Sequence, residues 1–103
     1  MLGLITGSGF YDLPGIQEAQ PLEVDTAYGL VHLTRGNWNG CPVAFLPRHG
    51  IEHRVPPHRI NYRANLQALH DVGTQAILAT AVSGGINPQY KVGELVLIDQ
   101  FIE

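Results

Sequence analysis

One cysteine in 103 residues leaves no partner for an internal disulfide, so nothing in the sequence demands an oxidising compartment. Cys41 opens an apolar run and reads as a small buried hydrophobe, not a reactive thiol. Charge is scarce as well: only 15% of residues are charged, and nine acidic against six basic side chains give a formal net charge of −3. That balance argues against a nucleic-acid surface. No apolar run approaches the ~20 residues that cross a bilayer, so no membrane partner is expected. Met1–Phe10 is apolar only briefly and lacks a basic start, which is unlike a signal peptide, and a cytoplasmic location is expected. Hydrophobic residues at 45% are too many for a disordered chain and ordinary for an α/β protein.

The few cations that are present are gathered. Four of the six, Arg48, Arg54, Arg59 and Arg63, fall within sixteen residues. In an acidic chain this crowding suggests a small anionic ligand, with a solvated positive face as the plainer alternative.

Leu2–Thr6 is a short apolar run ending at Gly7-Ser8-Gly9, which predicts a buried strand followed by a tight turn. A polar, turn-rich stretch to about Gln20 precedes a weaker extended segment over Leu22–Asp25. Leu30–Thr34 and Pro42–Leu46 read as a hairpin joined by the longer loop Arg35–Gly40. The tandem Pro56-Pro57 forbids a helix before about His58. Over Ile60–Val72, the spacing of Tyr62, Leu66, Leu69 and Val72 predicts one helix with that apolar face, ended by Gly73. Ala76–Val82 is continuously apolar, hence a strand buried on both faces, and Leu95–Ile98 reads as one more strand. The fold class is therefore α/β, with a mixed, largely parallel central sheet and flanking helices. One helix is too few to cover both faces of such a sheet, so residues 1–103 read as the N-terminal portion of a single larger domain.

Three polar or glycine-rich segments each follow a predicted strand: Gly7–Phe10, Arg48–Gly50 and Val82–Gly85. In open α/β sheets ligands bind beyond the carboxyl ends of the strands, so the three could converge on one site. Gly7 and Gly9 would allow close backbone approach, and Ser8 would add a hydroxyl donor or serve the turn alone. Arg48 offers a planar fork matching two oxygens of an anion, and His49 offers a further donor. Gly7-Ser8-Gly9 completes neither a dinucleotide fingerprint, since Asp12 stands at the third glycine, nor a P-loop. His49 and His53 are spaced as a helical metal pair would be, but Gly50 lies between them and two prolines follow, so no metal and no cofactor is expected.

The ordered set of segments resembles the purine nucleoside phosphorylase family, of the methylthioadenosine and methylthioinosine type. Gly3-Leu4-Ile5-Thr6-Gly7-Ser8-Gly9 is similar to that family's opening Ile-Ile-Gly-Gly-Thr-Gly. Pro47-Arg48-His49-Gly50, His53, Pro56-Pro57 and Ile60–Asn65 resemble its Arg-His-Gly…His…Pro…Asn-Tyr-x-Ala-Asn block. Val82–Gly85 stands where the family has Thr-Ala-Cys-Gly, and Val96–Ile102 resembles its Val-Ile-Ile-Asp-Gln-Phe-Ile strand. The likeness is nearest to the bacterial methylthioinosine type. It implies attack of phosphate on C1′ of a 5′-methylthio-nucleoside. Ser8, Arg48, His49, Ala81 and Val82 would hold phosphate, and Ser83 and Gly84 would line the purine and ribose. The family carries a threonine hydroxyl at the place of Ala81, which alanine cannot supply. The resemblance further implies a homo-oligomer, a trimer or hexamer, with nucleoside and phosphate as its small-molecule partners. A nucleosidase using water and a non-catalytic phosphate-binding fragment are the alternatives.

Overall fold

The computed structural model describes residues 1–50, 52 and 54–102. Five strands form one mixed sheet: β1 (Leu2–Thr6), β2 (Ile16–Thr26), β3 (Gly29–Trp38), β4 (Cys41–Pro47) and β5 (Ala76–Ala79). The spatial order is β2-β3-β4-β1-β5. β1 pairs in parallel with both β4 and β5, whereas β2–β3 and β3–β4 are antiparallel hairpins. Four of the five strands, all but β3, therefore run in the same sense, which is the mixed and largely parallel sheet that the sequence predicts.

The alternation of side chains along β1 and β4 sends residues to two faces. Ala44 and Leu46 join Val31, Leu33 and the helix α1 (Tyr62–Asp71) in one buried cluster. Leu4, Val43 and Phe45 pack on the other face beneath Leu13, with Phe10 and Trp38 at its margin. Leu46 and Leu69 are the largest side chains taken wholly out of water, each contributing roughly 1.5–3 kcal/mol.

Helix α1 starts at Tyr62, two residues after the expected Ile60, for chemical reasons. Pro57 opens a 3-10 turn over Pro57–Arg59, and Asn61 then caps α1, its Oδ1 accepting the Ala64 N–H at 3.2 Å. The same amide donates through Nδ2 to the Tyr28 carbonyl at 2.8 Å, fastening the helix start to the β2–β3 turn. At the other end Gly73, with φ of 93°, makes a Schellman arrangement: its N–H reaches His70 O, and the Thr74 N–H reaches Leu69 O. In the last turn the Gln67 amide, then His70, hold the Asp71 carboxyl below the usual carboxylate range.

Several elements differ from the sequence expectation. The stripe of α1 that faces the sheet is Ala64, Ala68 and Leu69 with Val72, while Tyr62 and Leu66 are exposed. Ala64 and Ala68 let the helix axis approach the sheet, and Leu69 fills the space beside them, while Tyr62 and Leu66 point away from that stripe. β2 begins at Ile16, well before Leu22, because a bulge between Gln17 and Gln20 lets a polar, irregular stretch stay in register. Gly36 lies opposite that bulge, and a Cβ there would fall 2.7 Å from Ile16 and 2.8 Å from the Gln17 carbonyl. The β3–β4 loop is only Asn39-Gly40, with φ of 48° and 77°, the left-handed pair of a tight two-residue hairpin. Cys41 does open β4 but is exposed at that turn. β5 stops at Ala79 and is exposed throughout, an edge strand paired only with β1 among the described residues. Leu95–Ile98 is exposed chain outside regular structure and not a strand. No helix of the described residues is long and apolar enough to cross a membrane.

Candidate functional site

The carboxyl ends of the three adjacent parallel strands β4, β1 and β5 meet at Arg48. Its backbone N–H donates to Thr6 O at 2.9 Å, extending the β4–β1 ladder by one bond past the strands. Its side chain then crosses β1, and Nη1 donates to the Thr80 carbonyl at 2.6 Å, just beyond β5. Thr80 is itself held there by its own N–H, which donates to Ile5 O at 2.9 Å. One side chain thus spans the ends of three strands, at the place where open sheets of this kind receive ligands. Among the described residues, no carboxylate lies within ion-pair distance of Arg48. A carbonyl dipole orients the guanidinium without neutralising it.

Beneath the crossing lies the turn that follows β1. The Phe10 N–H donates to Gly7 O at 3.2 Å, and the Thr6 hydroxyl, itself buried, donates to Phe10 O at 2.6 Å. Gly9 has φ of 81°, the left-handed conformation that a type II turn needs at its third residue. Ser8 occupies the exposed corner of this turn. The turn is anchored from below by Phe10, whose ring meets Phe45 edge-on with centroids 6.0 Å apart.

His49 is buried, only 5% exposed, and its Nδ1 lies 3.0 Å from the Val55 carbonyl. A carbonyl only accepts, so Nδ1 carries a proton there. The Val55 N–H donates back to His49 O at 2.9 Å, so the two residues are bonded in both directions. Gly50, next to His49, has φ of 74°. His53 lies outside the described residues; among those described, no group of three or more His, Cys, Asp and Glu could hold a metal ion.

The other sequence-predicted residues are not gathered in the same way. Ala81, Val82, Ser83 and Gly84 are exposed and outside regular structure, and nothing lies within 4 Å of where a Cβ on Gly84 would be. The cations crowded in sequence also part in space. Arg54 pairs with Glu52, Arg63 is on the exposed side of α1, and Arg59 joins Arg48 on the wall of a groove. That groove holds about 800 Å3 and is also lined by Tyr11, Asp12, His32 and Asn65, but not by Ser8, His49 or Ala81–Gly84.

Sequence reasoning missed two participants. The Thr80 carbonyl has no sequence signature, because every residue carries one. Asp12, noted only as the residue that spoils a glycine fingerprint, lines the groove with Arg48.

Comparison with known proteins gives this arrangement a family. The model of the Phosphorylase superfamily matches residues 1–103. The chain is 44% identical over 102 residues to the 6-oxopurine nucleoside phosphorylase of Pyrococcus furiosus, covering 99% of this chain and 38% of that protein. It is 46% identical over 105 residues to the S-methyl-5′-thioadenosine phosphorylase of Saccharolobus solfataricus, again covering 99% of this chain and 38% of the relative. Among solved structures, the methylthioadenosine phosphorylase of Schistosoma mansoni in complex with adenine superposes with a TM-score of 0.70 at 40% identity, over 76% of this chain and 28% of that one. The chain spans well under half the length of these relatives. It belongs to the phosphorylase superfamily.

Proposed function

We propose that this member of the superfamily supplies the phosphate side of a purine nucleoside phosphorylase acting on a 5′-methylthio-nucleoside. The observation that carries the reading is the Arg48 side chain, laid across the ends of β4, β1 and β5 with no carboxylate paired to it among the described residues. Ser8 at the turn would add a donor, and His49 beside Arg48, whose Nδ1 is taken by the Val55 carbonyl, would reach the phosphate through Nε2. Ala81, Val82, Ser83 and Gly84 would come to the ligand when that exposed segment closes over it, the first two toward phosphate and the last two toward purine and ribose.

The chemistry follows from charge. As the glycosidic bond lengthens, C1′ of the ribose becomes cationic, and a phosphate held against it both stabilises that charge and attacks it. The bond from phosphate oxygen to C1′ forms while the C1′–N bond breaks, and the electron pair leaves with the purine. Arg48 and His49 orient the phosphate and are not modified. Orientation of this kind supplies up to ~7–11 kcal/mol of the barrier. Phosphate is a co-substrate, and no cofactor enters.

Methylthioinosine is favoured over methylthioadenosine as the nucleoside. Relatives named for 6-oxopurine nucleosides and relatives named for methylthioadenosine match at 44% and 46% identity. A 6-oxopurine on a methylthio sugar unites both features. The products would be hypoxanthine and 5-methylthioribose-1-phosphate, in a cytoplasmic salvage reaction carried out by a homo-oligomer, a trimer or hexamer. The test is chromatographic: release of base from methylthioinosine and methylthioadenosine, each with and without phosphate. Phosphate-dependent release from methylthioinosine is expected. Release without phosphate would indicate a nucleosidase, and phosphate binding without any release a binding fragment.

A further inference from the structure

The two glycines flanking Ser8 are glycines for different reasons. Gly9 has φ of 81° and open space around its missing Cβ, so its need is conformational. Gly7 is absent from the residues with positive φ, and an L side chain could adopt its backbone. Its need is for room: a Cβ on Gly7 would fall 2.5 Å from both Cζ and Nη1 of Arg48. Gly7 is also buried, so the guanidinium fills the volume above it and water does not.

We infer that Gly7 is a positioning residue for Arg48, its missing side chain being the seat in which the guanidinium lies to reach the Thr80 carbonyl. The path is fixed at both ends. Arg48 leaves β4 with its N–H bonded to Thr6 O, and its Nη1 must arrive at Thr80 O on the far side of β1. β1 lies between β4 and β5, so the side chain has to pass over the residue that follows Thr6. That residue is Gly7. A methyl group there lifts the guanidinium off the strand ends, and the 2.6 Å bond to Thr80 cannot survive the displacement. Gly7 thereby acts through Arg48 without touching the anion itself.

The experiment is a double-substitution cycle on the full chain with two readouts. The first is unfolding in urea, which makes no use of the proposed function. Gly7→Ala is expected to lower the midpoint in the parent protein and to lower it much less in an Arg48→Ala background, where the contested space is empty. Gly9→Ala should instead cost the same in both backgrounds, because nothing of Arg48 lies near it. Equal costs for Gly7→Ala in the two backgrounds would overturn the inference.

The second readout is calorimetric binding of inorganic phosphate, and this arm rests on the function proposed above. Gly7→Ala should weaken binding roughly tenfold, about the worth of one charge-assisted bond, and weaken it no further once Arg48 is alanine. Loss of phosphate binding in Arg48→Ala, but not in Gly7→Ala, would overturn the role of Gly7 and leave the phosphorylase reading intact. If the parent protein bound no phosphate, the functional reading would fall while the urea cycle still decided the role of Gly7.

Discussion

Gly7–Phe10 and Ala81–Gly84 both follow strands of the parallel half of the sheet, and the family resemblance assigns both to the ligand, yet only the first is fastened. The turn after β1 is closed by two hydrogen bonds and rests on Phe45 through the Phe10 ring. The segment after β5 is tied at Thr80, where it holds Arg48, and from Ala81 onward it is exposed. The two differ in what lies beneath them. β1 is an inner strand with packed clusters on both faces, whereas β5 is an edge strand whose Ile77 and Leu78 are 43% and 50% exposed. A loop takes a fixed shape when the strand behind it is packed and apolar side chains are available to anchor it. Glycines and hydroxyls alone do not confer that shape.

Arg48 is the link between these two walls, so removing it should have the largest effect on phosphate. Arg48→Ala is expected to cost ~1.5–3 kcal/mol of phosphate binding, roughly ten- to a hundredfold or more in its KM, with the domain still folded. Unchanged phosphate kinetics in a folded Arg48→Ala protein would refute any role of this crossing in anion binding. Asn61→Ala gives a contrast at the helix start, which lines the same groove as Arg48 but belongs to neither wall. It removes the α1 cap and the bond to Tyr28, and should lower unfolding free energy by about 1 kcal/mol in urea titrations while leaving the phosphate KM unchanged. A phosphate effect comparable to that of Arg48→Ala would show that helix placement, not the strand ends, sets the site. The smallest effect is expected from Ser8→Ala, on the order of 0.5–1.5 kcal/mol, seen as a modest rise in phosphate KM. No rise at all would leave Ser8 a residue of the turn only.

The parts of the fold that could be read from the sequence are those set by short-range chemistry. The bounds of β1, the end of the helix at Gly73 and the turn at Gly9 each follow from a local signature. What could not be read depended on neighbours distant in sequence. The bulge in β2 needs Gly36 opposite it, and the inner stripe of α1 is decided by how closely alanines let it approach β2 and β3. The apolar run over Ala76–Val82 resembles a buried strand because the sequence shows what a strand could bury, not what covers it. At the site, Arg48 was legible as a fork-shaped cation after a strand. Its path over Gly7 to a backbone carbonyl was not, since neither a vacant Cβ nor a main-chain oxygen marks itself in a sequence.

The pairing of β1 has a consequence in time. Leu2 faces Val43 on one side and Ala76 on the other, so the first of these five strands in chain order is the one whose partners come latest. On the ribosome β1 emerges with both edges open and waits for β4. Its second edge is open until β5 follows. The hairpins β2–β3 and β3–β4 need no such wait, because each joins neighbours in sequence. Throughout this interval Leu2, Leu4 and Ile5 form a short apolar segment without a ladder, the kind of exposed edge that invites contact with other chains. Its five residues keep that exposure short, and the same late pairing means that the ends of β4, β1 and β5 come together only once nearly all the chain up to Thr80 has been synthesised.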